Sequence, residues 1–217
     1  MYCVRRSSPT PSPATTGLQS VITQRNVLFM PYEWLTKARL TKALRRLSEL
    51  ATAEGLVLEL ALYGGAVFTL VYGSREATKD VDAIIKPADA GTRLVKVVAI
   101  EQDLPEDWLN GEVQQFLSPH DQRRPFPSKE FEPGLAITIP TANYLLALKL
   151  RAARPPLPGY PGDEPDIRFL LHRIKPANLE AVDKIFERFF PGEIPHEFAR
   201  SMVIRLLADL PKKPSAS

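Results

Sequence analysis

One stretch constrains this chain more than any other: LYGGAVFTLVYGSREATKDVDAIIK, residues 62–86. It is entered through VLELALY (57–63), whose alternating aliphatic residues predict a strand. Gly64-Gly65 makes a tight exit, and AVFTLVYG (66–73) reads as a short apolar helix. The turn SREATK leads into a second strand, DVDAIIK (80–86), stopped by Pro87. A β-α-β unit this short cannot bury its own apolar surface. The chain must therefore supply further strands and covering helices, which predicts an α+β fold with a small mixed sheet flanked by helices.

The remainder fits that plan. The chain has 217 residues and 21 prolines, about twice ordinary usage, which excludes one long bundle or coiled coil. Leu35, Leu40, Leu44, Leu47 and Leu50 recur near helical spacing, so residues 31–54 read as a helix ended by Gly55. Residues 88–103 read as a helix after Pro87, and 104–134 carry LPEDWLNG and then the proline-rich loop SPHDQRRPFPSKEFEPG. LAITI (135–139) reads as a strand and TANYLLALKLRAA (141–153) as a helix. A Pro/Gly loop then precedes helices over 166–174, 177–190 and 196–210, so the C-terminal half is helical.

One domain is expected, with a core over 30–140, a helical part over 141–210 and a tail over 211–217. Residues 1–29 hold Arg5, Arg6 and Arg25 with no acidic residue, faintly like a transit peptide. They read as a disordered or mis-assigned segment, with Met30 as an alternative start. A single cysteine, Cys3, excludes an internal disulfide framework and a Cys-based zinc site. No apolar run reaches membrane-spanning length, so a cytoplasmic protein is expected. The net charge of +3 is compatible with a nucleotide or RNA partner without requiring one.

The chemistry concentrates on the same stretch. Asp80 and Asp82 stand two apart on an expected strand, leaving one face with Cα atoms roughly 6.5–7 Å apart. Two carboxylates on one face repel unless a cation joins them. Mg²⁺ (or Mn²⁺) suits such a pair, because it takes one or two carboxylates together with substrate phosphates. Gly64-Gly65 lets backbone amides approach a phosphate at a helix start. Together these are what transfer from a bound nucleoside triphosphate, ATP among them, requires. Arg75 and Thr78, in the turn before the carboxylates, offer a phosphate-binding cation and a hydroxyl. The structural alternatives are plain turns for Gly64-Gly65, Arg75 and Thr78, and a solvent-facing edge for the aspartates.

Lys149 sits among Leu145, Leu146 and Leu150, so its ammonium emerges beside an apolar surface. It either pairs with acidic groups or an anion, or reaches solvent at the helix edge. Asp163-Glu164-Pro165-Asp166 reads as a helix cap with acidic residues in the first turn.

These residues resemble the signature of the polymerase-β-type nucleotidyltransferase superfamily, carried here by Tyr63, Gly64, Gly65 and Asp80-Val81-Asp82. GGAV…R.AT.DVD, then LPEDWLN and ALKLRAAR…DEPDI, more narrowly resembles a bacterial family related to AbiEii- and MenT-type nucleotidyltransferase toxins. The resemblance implies that Gly64 and Gly65 bind nucleotide phosphates, Asp80 and Asp82 hold the metal, and Lys149 contacts the triphosphate. The later catalytic aspartate of the pattern falls at Asp163 or Asp166. It further implies NMP transfer to a hydroxyl of RNA, such as a tRNA 3′ end, or of a protein, with a cognate antitoxin as partner.

Two departures favour a different class, a catalytically inactive nucleotide-binding or protein-interaction domain of the same fold. Ala66 stands where many active relatives carry Ser, and LAITI lacks the third carboxylate of polymerase-like members. No Walker A, GxGxxG, HExxH, GxSxG or DNA-specific motif is present. His120, His172 and His196 are scattered singly. Trp108 reads as a packing anchor, and Arg123 and Arg124 as solvated loop residues beside Phe126.

Overall fold

Thr36 begins the described architecture by capping the first helix: its hydroxyl accepts from the Arg39 amide at 3.3 Å. A computed structural model describes residues 34–158 and 160–209. The expectations for residues 1–29, for Met30 as a start and for the tail over 211–217 lie outside the described residues.

The element order is β1 (Leu35–Thr36), α1 (Lys37–Ala53), β2 (Leu58–Leu62), α2 (Gly64–Val67, continued by a π-helical turn, Phe68–Tyr72), β3 (Ala77–Thr78) and β4 (Val81–Lys86). Then come α3 (Ala88–Glu101), β5 (Leu109–Asn110), a 3₁₀ turn (Glu112–Phe116), β6 (Arg123–Pro125) and β7 (Leu135–Pro140). Four helices close the series: α4 (Ala142–Arg151), α5 (Glu164–Ile174), α6 (Leu179–Phe189) and α7 (Glu197–Ala208). This is the expected α+β fold.

The main sheet runs β5-β4-β2-β7-β6, and β1 pairs with β3 separately. β2 is antiparallel to β4, with Ala61 opposite Ile84, and parallel to β7, with Ala61 opposite Thr138. Side-chain alternation therefore sends Leu58, Leu60 and Leu62 of β2, Val81 and Ala83 of β4, and Leu135 and Ile139 of β7 into the core. They meet the buried stripe of α1 (Leu40, Leu44, Leu47, Ala51) and Leu94 and Val98 of α3. α4 is buried nearly all round, with α5, α6 and α7 packed beside it. A helix so enclosed has no solvent edge for Lys149, and this disposes of the snorkelling alternative.

Several expectations change. α1 starts at Lys37 rather than 31, because the chain at Leu35–Thr36 is extended and paired with Ala77–Thr78. The helix after the glycines includes them. Arg123 and Arg124 are not in a solvated loop: they form the edge strand β6, with Arg124 opposite Ile139, and Arg123 pairs with Asp121 at 2.7 Å. Pro125 is tolerated there because an edge strand leaves one side of its backbone unpaired. The stretch before that loop, given no element by the sequence, holds β5 and the 3₁₀ turn. Trp108 is the anchor expected, buried with its indole N–H donating to the Val95 carbonyl at 3.2 Å.

Candidate active site

The glycine turn and the carboxylates are forced together by β2–β4 pairing. The Tyr63 amide donates to the Asp82 carbonyl at 2.8 Å, which puts the end of β2 level with the start of β4. Gly64 follows with φ +53°, in the left-handed region. A Cβ there would sit 2.1 Å from Asp82 Oδ2. One behind it, a Cβ on Gly65 would sit 2.2 Å from Thr78 Oγ1 and 3.4 Å from an Arg75 guanidinium nitrogen. Each glycine is thus required by close approach, the first to a carboxylate and the second to the turn beneath. Tyr63, at the cap position, places no side chain on the first amides of α2.

Asp82 lies in β4 and Asp80 just before it, so the carboxylates enter one cleft from the strand and from its lead-in. The cleft, about 340 Å³, is also lined by Gly64 and the polar residues Glu112, Lys149, Arg154 and Asp163. Val113, Phe116, Leu145, Leu148 and Ala152 add apolar lining. The Asn110 amide donates to Asp80 Oδ2 at 3.4 Å, and no donor among the described residues bonds the Asp82 carboxylate. Burial, then the charge of Asp80, pushes Asp82 above the usual carboxylate range, with Lys149 and Arg154 opposing. A carboxylate held up in this way is one that a cation would stabilise.

Among the described residues, no group of three or more His, Cys, Asp or Glu side chains is placed to hold a metal ion. Asp80 and Asp82 offer a pair of hard oxygen donors, the kind that Mg²⁺ or Mn²⁺ takes together with phosphate oxygens.

Behind the cleft lies a charge network joining four elements. Lys149 Nζ is 2.7 Å from Asp163 Oδ1 and 2.8 Å from Asp166 Oδ2. Arg75 grips Asp166 with two bonds of 2.7 Å. Asp163 also receives the Arg154 amide at 2.9 Å, Arg154 Nε at 3.3 Å and the Tyr160 hydroxyl at 3.0 Å. Asp163 stands at the head of α5 but makes no side-chain cap bond, so the expected capping role does not hold. Burial alone would lower Lys149, and the two carboxylates more than offset it, leaving the ammonium raised above its ordinary value. Burial likewise pushes Asp163 up, but Lys149 and Arg154 pull harder and hold it below the usual range. Phe68, on the π-helical turn, lies under both cations, 5.6 Å from Lys149 Nζ and 5.9 Å from the Arg75 guanidinium.

The structure sorts the expected site residues into two groups. Gly64, Asp80, Asp82, Lys149 and Asp163 line the cleft. Gly65, Arg75, Thr78 and Asp166 stand behind it: Thr78 is buried under Gly65, and Arg75 is committed to Asp166. Where the sequence left Asp163 and Asp166 as alternatives, both meet Lys149. Sequence reasoning missed Asn110, Glu112, Phe116, Arg154 and Tyr160. Asn110 ends the LPEDWLN segment and Arg154 closes ALKLRAAR, so both lay inside stretches already singled out; Glu112 and Phe116 carried no local signal.

No family model matches the chain, and neither does any curated protein or solved structure. No helix among the described residues is long and apolar enough to cross a membrane.

Proposed function

We propose that the chain is a metal-dependent nucleotidyltransferase that moves an NMP from a nucleoside triphosphate to an acceptor hydroxyl. The observation that carries this reading is the contact between Gly64 and Asp82, which sets an open glycine turn against a carboxylate pair in one cleft. Asp80 and Asp82 would hold Mg²⁺ or Mn²⁺, which supplies charge neutralisation at the phosphates and orientation of the reacting groups. The turn at Gly64 brings backbone close to the phosphates. Lys149 and Arg154 offset their charge from the opposite wall, while Asp163 holds both cations in place. In the transfer, the acceptor oxygen bonds to the α-phosphorus, the bond to the departing pyrophosphate breaks, and the hydroxyl proton leaves to solvent or a nearby carboxylate. The acceptor is an RNA hydroxyl, a tRNA 3′ end among the candidates, or a protein side chain; action as a toxin with a cognate antitoxin belongs to this reading.

A second reading is a nucleotide-binding or interaction domain without turnover. It is favoured by β7, whose outward positions hold Ala136 and Thr138 rather than a carboxylate. One experiment separates the two. The protein is incubated with each α-labelled nucleoside triphosphate, Mg²⁺, total RNA and cell lysate, beside Asp80→Ala. Label transferred by wild type alone supports the enzyme; Mg²⁺-dependent binding with no transfer supports the second reading; equal labelling by both proteins sinks the assignment.

A further inference from the structure

The cleft carries apolar as well as polar lining, and the mechanism above uses only the polar residues. The apolar lining comes from Val113 and Phe116 of the 3₁₀ turn and from Leu145 and Leu148 of α4, with Ala152 just past its end. Phe116 there is 39% exposed, a large aromatic side chain that the core does not absorb. Its backbone is nonetheless fastened at both ends. Arg151 Nη1 donates to the Phe116 carbonyl at 3.1 Å, with Arg151 itself paired to Glu193 at 3.1 Å and stacked 4.5 Å over Phe190. Upstream, the Glu112 amide donates to Asn110 Oδ1 at 3.0 Å, and the same Asn110 side chain holds Asp80. Downstream, the Ser118 amide donates to the Tyr144 hydroxyl at 2.9 Å. The turn is therefore tied to Asp80 at one end and to α4 at the other. A part-exposed ring on a pinned backbone, lining the same cleft as Leu145, Leu148 and Ala152, is suited to stacking a flat ligand.

We infer that the apolar lining of the cleft is a nucleobase shelf, Phe116 stacking the base beside Leu145, Leu148 and Ala152 while the phosphates reach the carboxylates. The inference rests on the nucleotide reading above. It follows from continuity: a ligand that places phosphates at Asp80 and Asp82 has an apolar surface within the same 340 Å³ cleft for its flat end. The shelf's side chains have no hydrogen-bonding groups, so discrimination comes from ring area, and purines bind more tightly than pyrimidines.

The test is calorimetric binding in Mg²⁺ of the non-transferable α,β-methylene analogues of ATP and UTP, with inorganic tripolyphosphate as a probe lacking a base. Phe116→Ala is expected to weaken the ATP analogue about tenfold or more and leave tripolyphosphate unchanged. Phe116→Trp restores the analogue, and an unchanged melting curve for each variant checks the fold. The shelf is overturned if Phe116→Ala leaves the analogue unaffected, if both ligands weaken equally, or if the UTP analogue binds more tightly than the ATP analogue. Binding of tripolyphosphate as tight as that of the ATP analogue also refutes the shelf while leaving the phosphate site standing. Binding of neither ligand to wild type refutes the nucleotide reading, and the shelf with it.

Discussion

Replacing Lys149 with methionine removes one cation from the middle of a buried network while keeping most of the side-chain volume. Its ammonium is the shared partner of Asp163 and Asp166, which are 1% and 2% exposed. Deleting one member of a buried ion pair costs about 3–5 kcal/mol, because the remaining charge stays buried without its partner. Arg75 still holds Asp166 and Arg154 still holds Asp163, so the loss belongs within that range rather than above it. For a chain of this size the melting temperature falls on the order of 10 °C.

The pH dependence gives the sharper result. In wild type Asp163 is held below its ordinary value, so its contribution is present above the unfolded value near 4 and lost as pH falls through the lower native value. Lys149, held above its ordinary value, stays charged across this window and contributes throughout it. Without Lys149, the largest influence opposing burial is gone, and the native pKa of Asp163 rises from its depressed value, so the variant lacks part of the contribution that wild type loses in acid. The deficit of Lys149→Met therefore narrows between pH 7.5 and pH 3.5. Urea unfolding of both proteins at the two pH values measures this. A deficit under about 1 kcal/mol at pH 7.5, or one that grows on acidification, would refute the reasoning.

Three further outcomes are expected. Gly64→Ala sets a Cβ against Asp82 Oδ2 in a left-handed backbone, so about 1–2 kcal/mol of stability and most Mg²⁺-dependent nucleotide binding should be lost together; wild-type binding in the variant would contradict the close-approach argument. Asp82→Asn removes a carboxylate that is held high by burial and by Asp80, so the metal-free variant should be more stable than wild type at pH 8, with the gain vanishing towards pH 4; denaturant titrations showing lower stability at pH 8 would speak against it. Ser48→Ala strips a buried hydroxyl that donates to the Phe131 carbonyl at 2.6 Å and accepts from the Gly134 amide at 3.1 Å. A loss of about 1–3 kcal/mol is expected in thermal unfolding, because the buried Gly134 amide loses its acceptor and the Phe131 carbonyl keeps only the Leu135 amide.

Strands and helices were legible wherever one period dominated. LELAL alternates, and α1 repeats leucines at helical spacing, so backbone geometry alone sends those side chains to one face. Gly64-Gly65 and Asp80-x-Asp82 stood out because paired glycines are costly outside a turn and two carboxylates on one face repel. The short elements were not: β6 in RRP and β5 in LN are strands only because β7 and β4 lie beside them to bond. Propensity carries no signal for a strand that exists by pairing.

The sequence by itself determined the class of fold, through periodicities along the chain, and the pairing of glycines with carboxylates, which lie within 25 neighbouring positions. Tertiary structure alone decided what Lys149, Asp163 and Asp166 do. Asp163 looked like a helix cap and Arg75 like a phosphate ligand, because a local reading sees only nearby backbone and solvent. Packing α4 against α5 and the π-helical turn brought residues 75, 149, 163 and 166 into one buried cluster, where each carboxylate had to find a cation and each cation a carboxylate. Desolvation sets that requirement, and it acts on neighbours in space rather than in sequence.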